Sequence, residues 1–208
     1  MPGVRCRAAT KFLIYGTIND RASRSSCKSW SCPACARHNV RLCARLIEAG
    51  LLDAFDAEHR ARYFVVTSLP DKLTPSELQV SWNRFRTSFL RRGEFRSYAA
   101  TIEVVDGRPH LNVVTVGGKF IHTSWLNRIS SNAGLGGVWV SAVGSTEEDA
   151  SRLSKYVTKG ARAAARWSVE GGSKRVQPVR LSKEWKPCGI TEGRRHYPSK
   201  RKRTEGQL

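Results

Sequence analysis

The chain has 208 residues, with 36 Lys and Arg against 17 Asp and Glu and a formal net charge of +19. That length supports one sizeable core with at most a small appendage. So large an excess of positive charge, spread along most of the chain, points to a polyanionic partner, nucleic acid first. No apolar run approaches the ~18 residues of a spanning helix, which excludes a helical membrane span, and residues 1–7 lead into no apolar segment of signal-peptide type. A cytoplasmic protein is the expectation.

In chain order, Thr10 to Thr17 reads as a strand, followed by Cys27, Cys32 and Cys35 in a C-x4-C-x2-C pattern with Pro33 inside the second knuckle. Clustered cysteines without a secretion signal favour metal over disulfides. Three thiolates are one short of a closed tetrahedral zinc site. The candidates for the fourth ligand are Cys6, His38, Cys43 and Cys188; Cys6 is favoured because the strand brings it back beside Cys27. After Cys35 a helix runs to about Asp53, with Val40, Cys43, Ala44, Ile47 and Leu51 at helical spacing, so Cys43 reads as a core residue.

Arg62 to Ser68 is a β-branched and aromatic strand ended by Pro70. Thr74-Pro75-Ser76-Glu77 forms a capping box with proline at the first helical position. The helix it opens carries the apolar stripe Leu78, Trp82, Phe85 and Phe89, flanked by basic residues that include Arg84. Two strands follow at 98–105 and 109–117, joined by the hairpin signal Asp106-Gly107. Then come a helix over Thr123–Asn132, a glycine-rich turn at 134–137 and a strand at 138–143. Ser145-Thr146-Glu147-Glu148 reads as a second capping box, opening a helix that ends at Gly160 and buries Ala150, Leu153 and Val157. Beyond Ala161 the pattern weakens; a short strand is expected within 173–179 and a basic tail beyond Lys186. The order of elements predicts an α+β fold, an antiparallel sheet with helices on one face, ferredoxin-like in arrangement. The expected divisions are a cysteine-rich zinc-binding segment over 1–58, the main domain over 59–185, and the tail over 186–208.

Side chains alternate faces along a strand, so His110 and Asn112 point the same way, and the hairpin sets Glu103 beside them. One carboxylate oxygen, one imidazole and one amide oxygen there suit Mg²⁺ or Mn²⁺. Tyr156 and Lys159 share one helix face. A tyrosine hydroxyl beside a cation and a lysine is a nucleophile suited to a phosphodiester. The bland alternatives are a satisfied strand histidine and an amphipathic surface tyrosine. Tyr15, Tyr63, Tyr98 and Tyr197 have no Tyr-x-x-Lys context.

Four segments together resemble the rolling-circle replication initiators of the HUH endonuclease superfamily, found in filamentous phages, single-stranded DNA viruses and small bacterial plasmids. Phe64-Val65-Val66-Thr67-Ser68 resembles the first motif, and Glu103 with Pro109-His110-Leu111-Asn112 the metal-binding motif. Tyr156-Val157-Thr158-Lys159 resembles the nucleophile motif, and the cysteine cluster resembles the lead-in of many members. The likeness spans roughly residues 27 to 160. It departs at Asn112, where the family carries a second histidine.

The resemblance implies a metal-dependent nicking and joining enzyme acting on single-stranded or hairpin origin DNA. Tyr156 would keep the 5′-phosphate, the freed 3′-hydroxyl would prime synthesis, and Lys159 would either lower the tyrosine pKa or balance the phosphorane charge. Structural Zn²⁺ would sit on Cys6, Cys27, Cys32 and Cys35. DNA contacts would come from Arg84, Arg152, Lys155, Arg194, Arg195, Lys200, Arg201, Lys202 and Arg203. No Gly-x-x-x-x-Gly-Lys-Ser/Thr loop is present, so a helicase and a polymerase of the bacterial host are the implied partners. The competing readings are a relaxase or transposase with the same core, a noncatalytic zinc-containing DNA-binding protein, and an RNA-binding protein that uses its basic tail.

Overall fold

The computed structural model describes residues 12–13, 23–24, 30, 32–68, 73–91, 97–118, 122–172, 177–182 and 185. The first two elements are short: β1 (Phe12–Leu13) pairs antiparallel with β2 (Ser23–Arg24). The rest of the expected strand over Thr10–Thr17, together with Cys6, Cys27 and the basic tail, lies outside the described residues.

Helix α1 (Pro33–Asp56) starts three residues earlier than expected and ends three later. Cys32 is its N-cap and Pro33 takes the first turn, where proline's missing N–H is no loss. Cys35 is therefore helical. Its face of Ile47, Leu51 and Ala54 is buried, and burial pushes the Cys43 thiol up to about 11, as a core cysteine requires.

The main sheet is built from β3 (Ala61–Ser68), β4 (Ser97–Val105), β5 (Arg108–Val116), β6 (Leu135–Ala142) and β7 (Val179–Leu181). Its order is β6-β3-β5-β4-β7, and every described pairing is antiparallel. Helix α2 (Pro75–Arg91) links β3 to β4, and α3 (Thr123–Asn132) links β5 to β6. Two β–α–β units thus interleave, each with a strand of the other inserted between its own two strands. Thr74 and Glu77 close the expected capping box on α2.

Helices cover both faces, not one. On one face, Phe64, Val66, Ile102, Leu111 and Val113 pack against Leu78, Trp82, Phe85 and Phe89 of α2 and Leu126 and Ile129 of α3. On the other, Ala61, Ala99, Val114 and Val116 pack against α1 and α4 (Glu147–Thr158), and α5 (Ala161–Glu170) adds Ala161 here while giving Ala164 and Trp167 to the first cluster. The strands carry the reason: β4 and β5 are buried on successive residues rather than on alternate ones, as strands covered on both sides must be.

Four further expectations are corrected. Strand β6 begins at Leu135, inside the glycine run. There a Cβ on Gly136 would lie 2.8 Å from the Ser68 carbonyl oxygen, so a strand passing this close tolerates only glycine. The second capping box is Thr146 with Asp149, one residue along from Ser145 and Glu148. Gly160 does not end the chain's helical course: α5 starts immediately after it, in a stretch whose alanine face (Ala161, Ala164, Ala165) is too small to signal burial by periodicity. The last strand lies at 179–181, so only Val179 falls within the expected range.

Candidate active site

The hairpin between β4 and β5 builds the site. Asp106 and Gly107 both adopt positive φ, 50° and 75°, the geometry of a tight two-residue turn. That turn sets the register: Glu103 stands opposite His110, and Thr101 opposite Asn112. On the other side of β5, Thr67 stands opposite His110 and Val65 opposite Asn112. Alternation places Glu103, Thr101, His110, Asn112, Val65, Thr67 and Tyr63 on the α1/α4 face.

Helix α4 delivers the remaining groups. Its buried Ala150, Ser154, Val157 and Thr158 face inward, and the Thr101 hydroxyl donates to the Val157 carbonyl at 2.5 Å, tying the last turn to the sheet. One residue away, Tyr156 is 45% exposed and meets Tyr63 edge-on at 5.9 Å between ring centroids. Lys159 Nζ sits 4.2 Å from the Tyr156 ring centroid and 3.4 Å from Glu103 Oε1. The lysine thus bridges the tyrosine and the carboxylate, a position open to a phosphate oxygen because half of its side chain is exposed.

Gly160 completes this approach. Its φ of −80° needs no glycine, but a Cβ there would lie 2.8 to 3.0 Å from the Cγ, Cβ and Cα of Glu103. The helix junction can come this near to the carboxylate only without a side chain.

Sequence reasoning set Tyr63 aside, yet its hydroxyl donates to Asn112 Oδ1 at 2.5 Å, while Asn112 Nδ2 donates to Glu103 Oε2 at 3.1 Å. The Tyr63 hydroxyl is held protonated, its pKa pushed up by burial first and then by the negative charge of Tyr156 and Glu103 when ionised. The signal for Tyr63 was present: it lies two residues before Val65, so it shares that residue's face. Its partner on another strand was not readable without the register.

The donor set admits a divalent cation. Glu103 and His110 are cross-strand neighbours with the right atoms for Mg²⁺ or Mn²⁺. Asn112 is engaged as a hydrogen-bond bridge between Tyr63 and Glu103. Turned by 180°, its amide would offer Oδ1 toward Glu103 and donate Nδ2 to Tyr63, because a tyrosine hydroxyl also accepts. Among the described residues no group of three or more His, Cys, Asp and Glu side chains gathers for a metal, so a site here depends on the amide. Of the cysteines, Cys32 is partly buried at the helix N-cap and Cys35 is buried in the first turn. Cys6 and Cys27 lie outside the described residues.

Arg84, Arg152 and Lys155 are exposed. Arg152 pairs with Asp149 at 2.9 Å on the helix that bears Tyr156, and Lys155 precedes Tyr156 directly. Arg84 lies on α2, which packs on the opposite face of the sheet. Arg194, Arg195, Lys200, Arg201, Lys202 and Arg203 fall outside the described residues. No described helix is long and apolar enough to cross a membrane.

No family model matches the chain, and no curated protein matches it. A solved structure that it resembles is the hypothetical protein ORF119 from Sulfolobus islandicus rod-shaped virus 1, at 13% identity and a TM-score of 0.40, covering 52% of this chain and 90% of that one. A likeness this loose carries no functional argument.

Proposed function

We propose that the protein is a rolling-circle replication initiator of the HUH type, which nicks single-stranded or hairpin origin DNA through Tyr156. The observation that carries this reading is the placement of Lys159 between the Tyr156 ring and the Glu103 carboxylate, at 4.2 and 3.4 Å. The three groups come from two motifs 53 residues apart in the chain, Glu103 and Tyr156. The interleaved strand order is ferredoxin-like, the frame on which such a site is expected.

In this mechanism the Tyr156 hydroxyl gives up its proton as its oxygen attacks phosphorus in line. The phosphorus–O3′ bond breaks, the 5′-phosphate stays on the tyrosine, and the departing 3′-oxygen takes up a proton. Lys159 offsets negative charge on the attacking oxygen and on the phosphorane. Before a cation binds, Glu103, steadied by Asn112, holds Lys159 in place. Glu103, His110 and Asn112 would hold Mg²⁺ or Mn²⁺, which when bound polarises the scissile phosphate. Arg152 and Lys155 flank Tyr156 to meet neighbouring phosphates, the tail from Arg194 to Arg203 adds further contacts, and host helicase and polymerase would act on the freed 3′ end.

Incubating the protein with a single-stranded origin oligonucleotide and Mn²⁺ tests the proposal. A covalent protein–DNA adduct is the expected product, and Tyr156→Phe should lose it entirely while binding persists, because only the hydroxyl is removed. An adduct that survives in Tyr156→Phe refutes the assignment.

The amide at position 112, engaged by two neighbours, keeps a second reading in play, a DNA-binding protein without nuclease activity. An absence of cleavage at every Mn²⁺ and Mg²⁺ concentration would favour it.

We also propose that Cys6, Cys27, Cys32 and Cys35 hold one structural zinc. The placing of Cys32 and Cys35 within one turn at the start of α1 supports this, since it holds two candidate ligands close together. Elemental analysis should find about one zinc per chain, and Cys35→Ser should release it and destabilise α1. Wild-type protein that is folded and free of zinc would refute the site.

A further inference from the structure

The face that carries Glu103, Asn112 and Tyr63 extends to the edge strand β6 and ends on an exposed tryptophan. Val65 stands opposite Asn112 on one side and opposite Trp139 on the other. Thr101, Asn112, Val65 and Trp139 therefore form one row across four strands, all on one face. Trp139 stands two strand spacings, roughly 10 Å, from Asn112.

Trp139 is 63% exposed, more than any other large hydrophobic residue described. The fold does not use it: Leu135 and Val138 supply the contribution of β6 to the core, on the opposite face. Leaving an indole in water forgoes one of the largest burial gains available to a side chain. Its surroundings keep the ring open. Gly137, two residues earlier on the same face, bears no side chain, and a Cβ there would touch the ring at 3.7 Å. Ser141, two residues later, lines a hollow of about 250 Å³ that Tyr63, Gly144, Arg152 and Tyr156 also line. The face therefore runs from the Trp139 ring at the sheet edge, past Ser141, to the paired rings of Tyr63 and Tyr156, in a chain of net charge +19.

We infer that Trp139 is a stacking platform for a base of single-stranded DNA whose backbone crosses this face toward Tyr156. The inference rests on the proposed function and adds to it the part of the substrate that the outer strand receives. Single-strand-binding surfaces combine a cationic track for phosphates with aromatic rings for bases, because every base has a face to stack. Here Arg152 and Lys155 supply the cations beside Tyr156, and Trp139 supplies the ring.

The test uses full-length protein carrying Tyr156→Phe, without divalent metal, so that binding is read apart from chemistry. The dissociation constant for a short fluorescent single-stranded oligonucleotide is measured by anisotropy at several salt concentrations. Adding Trp139→Ala should weaken binding about ten- to a hundredfold, with Trp139→Phe recovering most of it. The salt dependence should stay the same, since no phosphate contact is removed. Binding unchanged in Trp139→Ala, or no measurable binding before that substitution, overturns the inference. So does a shift from dimer to monomer in sedimentation on Trp139→Ala, which would give the face to a second copy of the chain. Stacking that holds while wild-type protein never forms an adduct overturns the nicking proposal alone; adducts without a Trp139 effect overturn this inference alone.

Discussion

The two faces of the sheet use the same strands and the same alternation, and they are built on opposite principles. Toward α2 and α3 the face is closed by large rings: Trp82, Phe85, Phe89 and Phe64 are at most 2% exposed and in mutual ring contact. Toward α1 and α4 the strands offer small groups, Ala61, Ala99 and Val114, which meet Ala150 and Ala161 beside Ile47, Leu51 and the buried ring of Trp185. Small residues let the helices come close, and the glycine at 160 carries this to its limit beside Glu103. The same face then turns polar at the hairpin end, where Tyr63, Glu103 and Asn112 bond to one another. One face supplies rigidity, and the other holds a polar cluster at a helix junction. A site of this kind needs both, because side chains are held to position only by packed neighbours.

Breaking the aromatic face should produce the largest loss of stability. Phe85→Ala removes a fully buried ring and should cost about 3–5 kcal/mol in urea unfolding. Adduct formation per folded molecule should stay near wild type, because Phe85 faces away from Tyr156. A small stability loss with a collapsed nicking rate would contradict the division between the faces.

The close approach on the other face is tested by Gly160→Ala. The added methyl group meets Glu103 at under 3 Å, and overpacking of this kind costs about 1–3 kcal/mol. Nicking should fall further than stability does, because the carboxylate and Lys159 are displaced together. Nicking at the wild-type rate in a destabilised Gly160→Ala protein would show that Glu103 does not govern the reaction.

The smallest expected change in stability comes from Tyr63→Phe, which deletes one hydrogen bond to Asn112 and should cost on the order of 1 kcal/mol. Its informative readout is metal dependence, with the freed amide altering the Mn²⁺ concentration at half-maximal nicking. Asn112→His should lower that concentration roughly tenfold, since imidazole is the better ligand for Mn²⁺. Wild-type protein that never cleaves, beside an Asn112→His variant that does, would establish loss of activity at this one residue.

Much of this arrangement was readable from the sequence alone. The Asp106-Gly107 turn, the apolar stripe of α2 and the Thr74–Glu77 box are local signals, each decided by backbone geometry within a few residues, and all three stand in the structure. The facing of Glu103 and His110 followed from strand alternation and hairpin register, which are also local. What only tertiary structure decided were contacts between residues far apart in the chain. Helices on both faces, the α5 helix with its weak alanine signal, Tyr63 on Asn112 across 49 positions, and Lys159 on Glu103 depend on which strand neighbours which. Trp139 beside the same row depends on it too. Local propensity sets where a strand or helix begins and which way its side chains point. It does not set the order of strands in a sheet, because that order is chosen by the burial of whole faces against one another.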